Sequence, residues 1–205
     1  MTDYFALLGL ARRPGLDEQE IKSRFVELCA AVHPDRVKPE DKTRATGQFA
    51  LLNAAQRCLG ETAARLRHLL ELENGSAPAD IEQVPADSVD LLVKVAQTCR
   101  QADAFIEKRR RESSPLLRLN SFEKGMEWTE ALQNLQSTLR TREQTFSARL
   151  SGWNETWRLA PAPEDPARPA ALPLRELEQM YRAISFLARS QRQLQERIAQ
   201  LTLEL

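Results

Sequence analysis

Ile21-Lys22-Ser23-Arg24-Phe25-Val26-Glu27-Leu28-Cys29-Ala30-Ala31-Val32-His33-Pro34-Asp35 is the stretch whose reading decides the fold. Its apolar residues Ile21, Phe25, Leu28, Cys29 and Val32 recur at helical spacing and form one stripe. Pro34 disfavours the helical conformation for His33, so the helix is predicted to stop there. The chain to about Lys42 is polar, with Pro34, Asp35, Pro39 and Asp41, and reads as a solvent-facing loop. A second stripe, Ala45, Phe49, Leu52, Ala55 and Leu59, predicts a partner helix packed antiparallel on the first. The loop itself offers contact chemistry, not catalysis. A nucleophile–base pair needs a third group and a shaped cleft, and the sequence near His33 supplies neither. The plain alternative is an ordinary turn, because proline and aspartate are common turn residues.

The flanks add to the pattern. Asp3-Tyr4-Phe5-Ala6-Leu7-Leu8-Gly9-Leu10 precedes the first stripe, Asp17-Glu18-Gln19-Glu20-Ile21-Lys22 opens it, and Asn53-Ala54 lies within the second. With the His-Pro-Asp loop, these segments resemble a J-domain: its short first helix and glycine turn, the capped start of its second helix, and the asparagine–alanine pair of its third. Leu59 and then Arg65 to Leu72, R-L-R-H-L-L-E-L, resemble the short fourth helix of the iron–sulfur co-chaperone family HscB. That resemblance implies an all-α, L-shaped molecule, an N-terminal J-domain with an antiparallel helical hairpin joined to a C-terminal three-helix bundle. It also implies that His33, Pro34 and Asp35 engage the nucleotide-binding domain of an Hsp70, HscA- or DnaK-like, and promote its ATP hydrolysis. Asp35 would make a charge-assisted contact worth about 1.5 to 3 kcal/mol, and Pro34 would hold His33 and Asp35 outward. His33 stands at the negative end of its helix, where protonation is favoured.

One departure bears on that interface. J-domains carry a basic ridge on the second helix; here Lys22, Arg24 and Arg36 remain, while Val26, Glu27, Ala30 and Ala31 occupy other ridge positions. Fewer charges mean weaker steering, or a ridge tuned for a dedicated partner. The alternative for Lys22 and Arg24 is a solvated helix face.

Residues 75–86 are loop-like, with Gly75, Ser76, Pro78 and Pro85, and mark the expected linker between a J-domain over 1–74 and a bundle over 87–205. Three helical patterns follow. The first runs from about Ser88 to Arg111 with Leu91, Leu92, Val95, Cys99, Ala102, Phe105 and Ile106. The second runs from Ser121 to Trp157 with Phe122, Met126, Leu132, Leu135, Leu139, Phe146, Leu150, Trp153 and Trp157. Prolines at 161, 163, 166, 169 and 173 then predict an extended connection. The last pattern, from Leu174, repeats Met180, Ile184, Leu187, Gln191, Leu194, Ile198, Leu201 and Leu205 in steps of four and three. This heptad fits either an intermolecular coiled coil or one stave of a bundle. Three amphipathic helices in one region favour the bundle, and with it a monomer.

In the HscB family the bundle binds the iron–sulfur scaffold protein IscU through an apolar and acidic patch. Tyr181-Arg182-Ala183-Ile184-Ser185-Phe186-Leu187 is similar to the family's last helix. Phe186 lies off the Ile184, Leu187, Gln191 seam, so it is a candidate client contact, with Leu91, Leu92 and Val95 as its counterparts on the first bundle helix. The alternatives are a single exposed aromatic of no function for Phe186 and the core stripe for the other three. The family's glutamate-rich tract is replaced here by Leu91-Leu92-Val93-Lys94-Val95-Ala96-Gln97-Thr98-Cys99-Arg100. A different client is therefore the rival expectation. A second rival is a coiled-coil interaction protein with a degenerate J-like head.

Composition excludes several classes. Twenty-nine basic and 29 acidic residues give a formal net charge of zero, so no global field draws the chain to nucleic acid or anionic membrane. Lys108-Arg109-Arg110-Arg111 reads as the charged end of a helix. No run approaches the about 20 apolar residues of a membrane span, and the start shows neither a basic n-region nor a presequence. A cytoplasmic protein is expected, neither an enzyme nor the holder of a cofactor. Cys29, Cys58 and Cys99 are odd in number, widely spaced and set in or beside apolar stripes, which predicts packed thiols and no zinc site.

Overall fold

The computed structural model describes residues 1–32, 42–78, 89–111 and 115–203, the side chains of 115–120 excepted. Among these the chain is all-α: α1 (Tyr4–Leu7), α2 (Glu18–Ala31), α3 (Lys42–Gly60), α4 (Thr62–Asn74), α5 (Val89–Arg110), α6 (Pro115–Gly152), α7 (Asn154–Leu159), α8 (Arg168–Ala171) and α9 (Leu174–Leu203). Two compact units result, one of Met1–Asp80 with Ser147–Tyr181, the other of Ile81–Phe146 with Arg182–Leu205.

In the first unit local chemistry sets each helix end. Asp3 caps α1, its Oδ1 accepting the N–H groups of Phe5 at 2.9 Å and Ala6 at 3.1 Å. Gly9, at φ +64°, then turns the chain. Asp17 caps α2 by accepting from Gln19 N–H at 3.0 Å, and Glu18 and Glu20 sit in the dipole-favoured first turn. The helix closes at Ala31, as Pro34 predicts. α2 and α1 each pack on α3, and α4 packs on α3 from the other side of the Gly60 turn. Phe5, Leu8, Ile21, Leu52, Ala55, Leu59, Leu66, Leu69 and Leu70 form the core. α4 ends at Gly75 in the left-handed conformation, φ +72°.

Residues 147–181 were expected to belong to the bundle and its connection, yet they complete this first unit. Asn154 holds the Gly15 peptide on both sides: its Oδ1 accepts Gly15 N–H and its Nδ2 donates to Gly15 O, each at 2.9 Å. A side chain at Gly15 would lie 2.7 Å from Ser151 Cα, so this close approach requires glycine. Arg168 forms a buried bidentate pair with Glu73, Nε to Oε2 at 2.7 Å and Nη2 to Oε1 at 2.9 Å, and Trp157 is 3% exposed.

Two expectations about these residues are corrected. The long helix does not continue to Trp157; it ends at Gly152, and Trp153 bridges to the separate α7. The proline-rich stretch is not extended throughout, because α8 forms with a proline in its first turn, where a missing N–H costs nothing.

In the second unit Val95, Cys99, Ala102 and Ile106 of α5, Leu132, Leu135, Leu139 and Phe146 of α6, and Ile184, Leu187, Leu194, Ile198 and Leu201 of α9 are buried. The heptad seam of α9 is thus buried from Ile184 to Leu201, with Gln191 half-buried. Its polar member Gln191 donates to Glu143 at 3.0 Å, Gln136 to Gln195 at 2.8 Å, and Arg197 to Asp103 at 2.7 Å. Phe122 and Met126 are not core residues: they are 38% and 48% exposed, while Ser121 is buried.

Candidate functional site

The tripeptide His33, Pro34, Asp35 and the neighbouring Arg36 lie outside the described residues. Their supports are within them. α2 ends before these residues and α3 begins after them, and the two helices pack together. In α3, Asn53 donates to Phe49 O at 2.8 Å and ties its own half-buried side chain to the helix.

The described part of the basic ridge consists of Lys22 and Arg24, both exposed. Arg24 is engaged within the chain: Nη1 pairs with Glu27 at 3.0 Å and Nη2 donates to Gly9 O at 3.3 Å. A Cβ at Gly9 would stand 2.9 Å from Arg24 Nη2, so the glycine turn and the arginine fit one another. Lys22 presents its ammonium on the same helix, and Val26 beside it is 57% exposed.

Tyr4 N–H donates to His68 Nε2 at 3.1 Å, and the His68 ring lies against Tyr4 and Phe5 with centroids 4.7 and 6.0 Å away. Nε2 can accept only while unprotonated, which assigns the proton of the neutral ring to Nδ1. Burial lowers the imidazole below its ordinary range, Arg12 adds to this, and Asp3 and Glu71 oppose it. Sequence reading placed His68 in the fourth-helix tract without a role; its signal was only a polar residue in the middle of R-L-R-H-L-L-E-L.

The candidate client residues all belong to the second unit. Phe186 is half-buried on α9, with the Arg189 guanidinium 6.0 Å above its ring. Leu91 and Leu92 of α5 are half-buried, while Val95 is 1% exposed and so supports the helix from within instead of presenting a surface. Val89 and Val93, 39% and 48% exposed, are apolar residues of α5 that sequence reading did not single out.

Burial raises all three thiols, Cys58 to about 11 with help from Glu71 and Glu61. Held protonated at neutral pH, they are poor nucleophiles. Among the described residues no group of His, Cys, Asp and Glu is arranged to hold a metal ion, and no helix is long and apolar enough to cross a membrane.

Residues 3–68 match the DnaJ domain family. The chain is 30% identical over 93 residues to the co-chaperone protein HscB of Proteus mirabilis, covering 44% of this chain and 53% of the relative. It is 36% identical over 81 residues to an HscB homologue of an Azoarcus species, covering 38% and 46%, and 36% identical over 75 residues to a J domain-containing protein of Schizosaccharomyces pombe, covering 37% and 35%. These matches thus span about half or less of the relatives' lengths. The fold likeness extends further: the Vibrio cholerae chaperone HscB aligns over 95% of this chain and 96% of its own, with a TM-score of 0.59 at 17% identity. Human HscB aligns over 96% and 82%, with a TM-score of 0.60 at 16% identity. The chain carries a J-domain, and as a whole it is similar to HscB.

Proposed function

We propose that this protein is an Hsp70 co-chaperone. Its J-domain stimulates ATP hydrolysis by an HscA- or DnaK-like Hsp70 through His33, Pro34 and Asp35, and its second unit presents an IscU-like iron–sulfur scaffold protein as client. The observation that carries this reading is the DnaJ domain match over residues 3–68, a range whose sequence includes His33, Pro34 and Asp35 and whose helices α2 and α3 pack on each other. The co-chaperone HscB relatives and the HscB-like fold over nearly the whole chain support the choice of client. Lys22 and Arg36 would steer the encounter; Arg24, already paired with Glu27, would contribute less. Phe186, Leu91 and Leu92 would meet the client, with Val95 beneath them. On this reading the protein acts by contact, is itself no enzyme, needs no cofactor, and works as a cytosolic monomer.

Single-turnover hydrolysis by the cognate Hsp70 tests the first half: the full chain accelerates it, and His33→Gln abolishes the acceleration. Calorimetry against the scaffold tests the second, where Phe186→Ala weakens binding at least tenfold, about 1.4 kcal/mol. Stimulation retained by His33→Gln removes the co-chaperone reading. Stimulation without scaffold binding leaves a J-protein with another client, the reading favoured by the absence of any carboxylate from Leu91 to Arg100.

A further inference from the structure

Asn74 is the last residue of α4, and Gly75 follows it in the left-handed conformation, φ +72°. Asn74, Gly75 and Ser76 are all exposed, and a Cβ at Gly75 would meet nothing within 4 Å. Among the described residues the Gly75 N–H makes no hydrogen bond. The other asparagines with described side chains are better held. Asn53 donates to Phe49 O, Asn154 grips the Gly15 peptide on both sides, and Asn134 lies in the interior of α6. Asn74 is also the chain's one asparagine followed by glycine, so no side chain shields the nitrogen next to its carboxamide. Such a pair can cyclise without an enzyme. The Gly75 nitrogen gives its proton to solvent and attacks Asn74 Cγ; the N–Cγ bond forms, the Cγ–Nδ2 bond breaks, and ammonia leaves. Water then opens the succinimide at Cγ to give aspartate, or at the main-chain carbonyl to give isoaspartate. Ring closure requires Asn74 to leave the helical ψ, and the last residue of a helix does so most easily, by fraying.

We propose that Asn74 is a site of spontaneous deamidation and that its products loosen the end of α4. Conversion places a carboxylate at the negative end of the helix dipole. It does so one residue after Glu73, whose side chain is 1% exposed in its pair with Arg168. Isoaspartate also lengthens the main chain at that point, because the chain then runs through Cβ and Cγ. The residue that locks α4 to α8 thus stands beside one that changes its covalent structure with time. An exposed isoaspartyl carboxylate is the class of substrate that protein isoaspartate O-methyltransferases take.

Peptide mapping by mass spectrometry of the full chain, aged at mildly alkaline pH, tests the proposal. Isoaspartate is counted by enzymatic methylation, and a free Leu72-Glu73-Asn74-Gly75-Ser76 peptide gives the unhindered rate. Asn74 should convert no more than about tenfold more slowly than the peptide, the factor set by a fraying free energy of 1.4 kcal/mol. It should also run ahead of Asn53, Asn134 and Asn154. Slower conversion than this, or conversion no faster than at Asn134, overturns the site. Amide hydrogens of Leu69 and Leu70 should exchange at least about threefold faster in the aged chain than in the fresh one. Asn74→Gln, which closes the corresponding ring far more slowly, should age without that change. Equal protection in aged and fresh protein overturns the loosening of α4.

Discussion

At the scale of single residues, His68 links the J-domain's stability to pH. Its Nε2 accepts the Tyr4 N–H and its ring is 5% exposed, so protonation both removes that acceptor and puts a charge into the core. The groups around it divide, with Asp3 and Glu71 favouring the cation and Arg12 opposing it, and burial prevails. Because the folded ring takes its proton at lower pH than the ordinary 6.5, the unfolded chain binds the proton first as pH falls. The full contribution is therefore present above that value and is lost as pH drops through it, with a slope of at most about 1.4 kcal/mol per pH unit. Urea midpoints between pH 7.5 and 5 should fall for the parent chain, and the fall should be shallower in His68→Gln. Parallel curves would show that another group carries the dependence. Nothing in the sequence pattern announced this role, because it depends on the start of α1 meeting the middle of α4, 64 residues on.

At the scale of elements, the first 74 residues were legible because local signals agreed. Asp3 and Asp17 cap, Gly9 turns, and the stripes of α2 and α3 meet. α6 was less legible. Phe122 and Met126 are four apart and looked like a continuation of the Leu132, Leu135, Leu139 row, yet at 3.6 residues per turn they lie about a third of a turn off it. The in-phase positions are Ser121 and Gly125, both buried, so small residues face the bundle while two large apolar side chains face outward. Hydrophobicity misled where phase was the better guide. Met126→Lys should accordingly shift stability by no more than about 0.5 kcal/mol, whereas Leu132→Ala, at a fully buried site, should cost about 2 to 5 kcal/mol. Chemical denaturation of the two variants checks the phase, and a large loss in Met126→Lys would return that residue to the core. The break at Gly152 and the turn of helix at Pro169 were hidden for a related reason. Asn154 and Arg168 find their partners in unit 1, at a distance along the chain that no local pattern reports.

At the scale of the whole molecule, the J-domain is finished by chain that lies beyond the bundle's first helix in sequence. Residues 147–181 supply Asn154 to Gly15, Arg168 to Glu73, and the buried Trp157. Glu73 shows why this matters: its side chain is 1% exposed, and removing one member of a buried, hydrogen-bonded ion pair typically costs about 3 to 5 kcal/mol, because the other charge is left uncompensated. A fragment of residues 1–80 keeps the His-Pro-Asp loop, the stripes of α2 and α3, and the α4 core, but loses all three of those partners. It should fold with a markedly lower urea midpoint than the corresponding residues in the full chain. Amide hydrogens of Leu66, Leu69 and Leu70 should exchange faster in it, by more than the tenfold that 1.4 kcal/mol represents. Arg168→Met in the full chain should reproduce much of that effect at α4, while the double change Glu73→Met with Arg168→Met should recover most of it, since removing both charges leaves neither uncompensated. Equal protection of α4 in the fragment and the full chain would mean that the J-domain is self-sufficient and that the segment merely rests on it. Faster exchange confined to α4 and the Gly15 loop would instead make residues 147–181 a structural part of the J-domain.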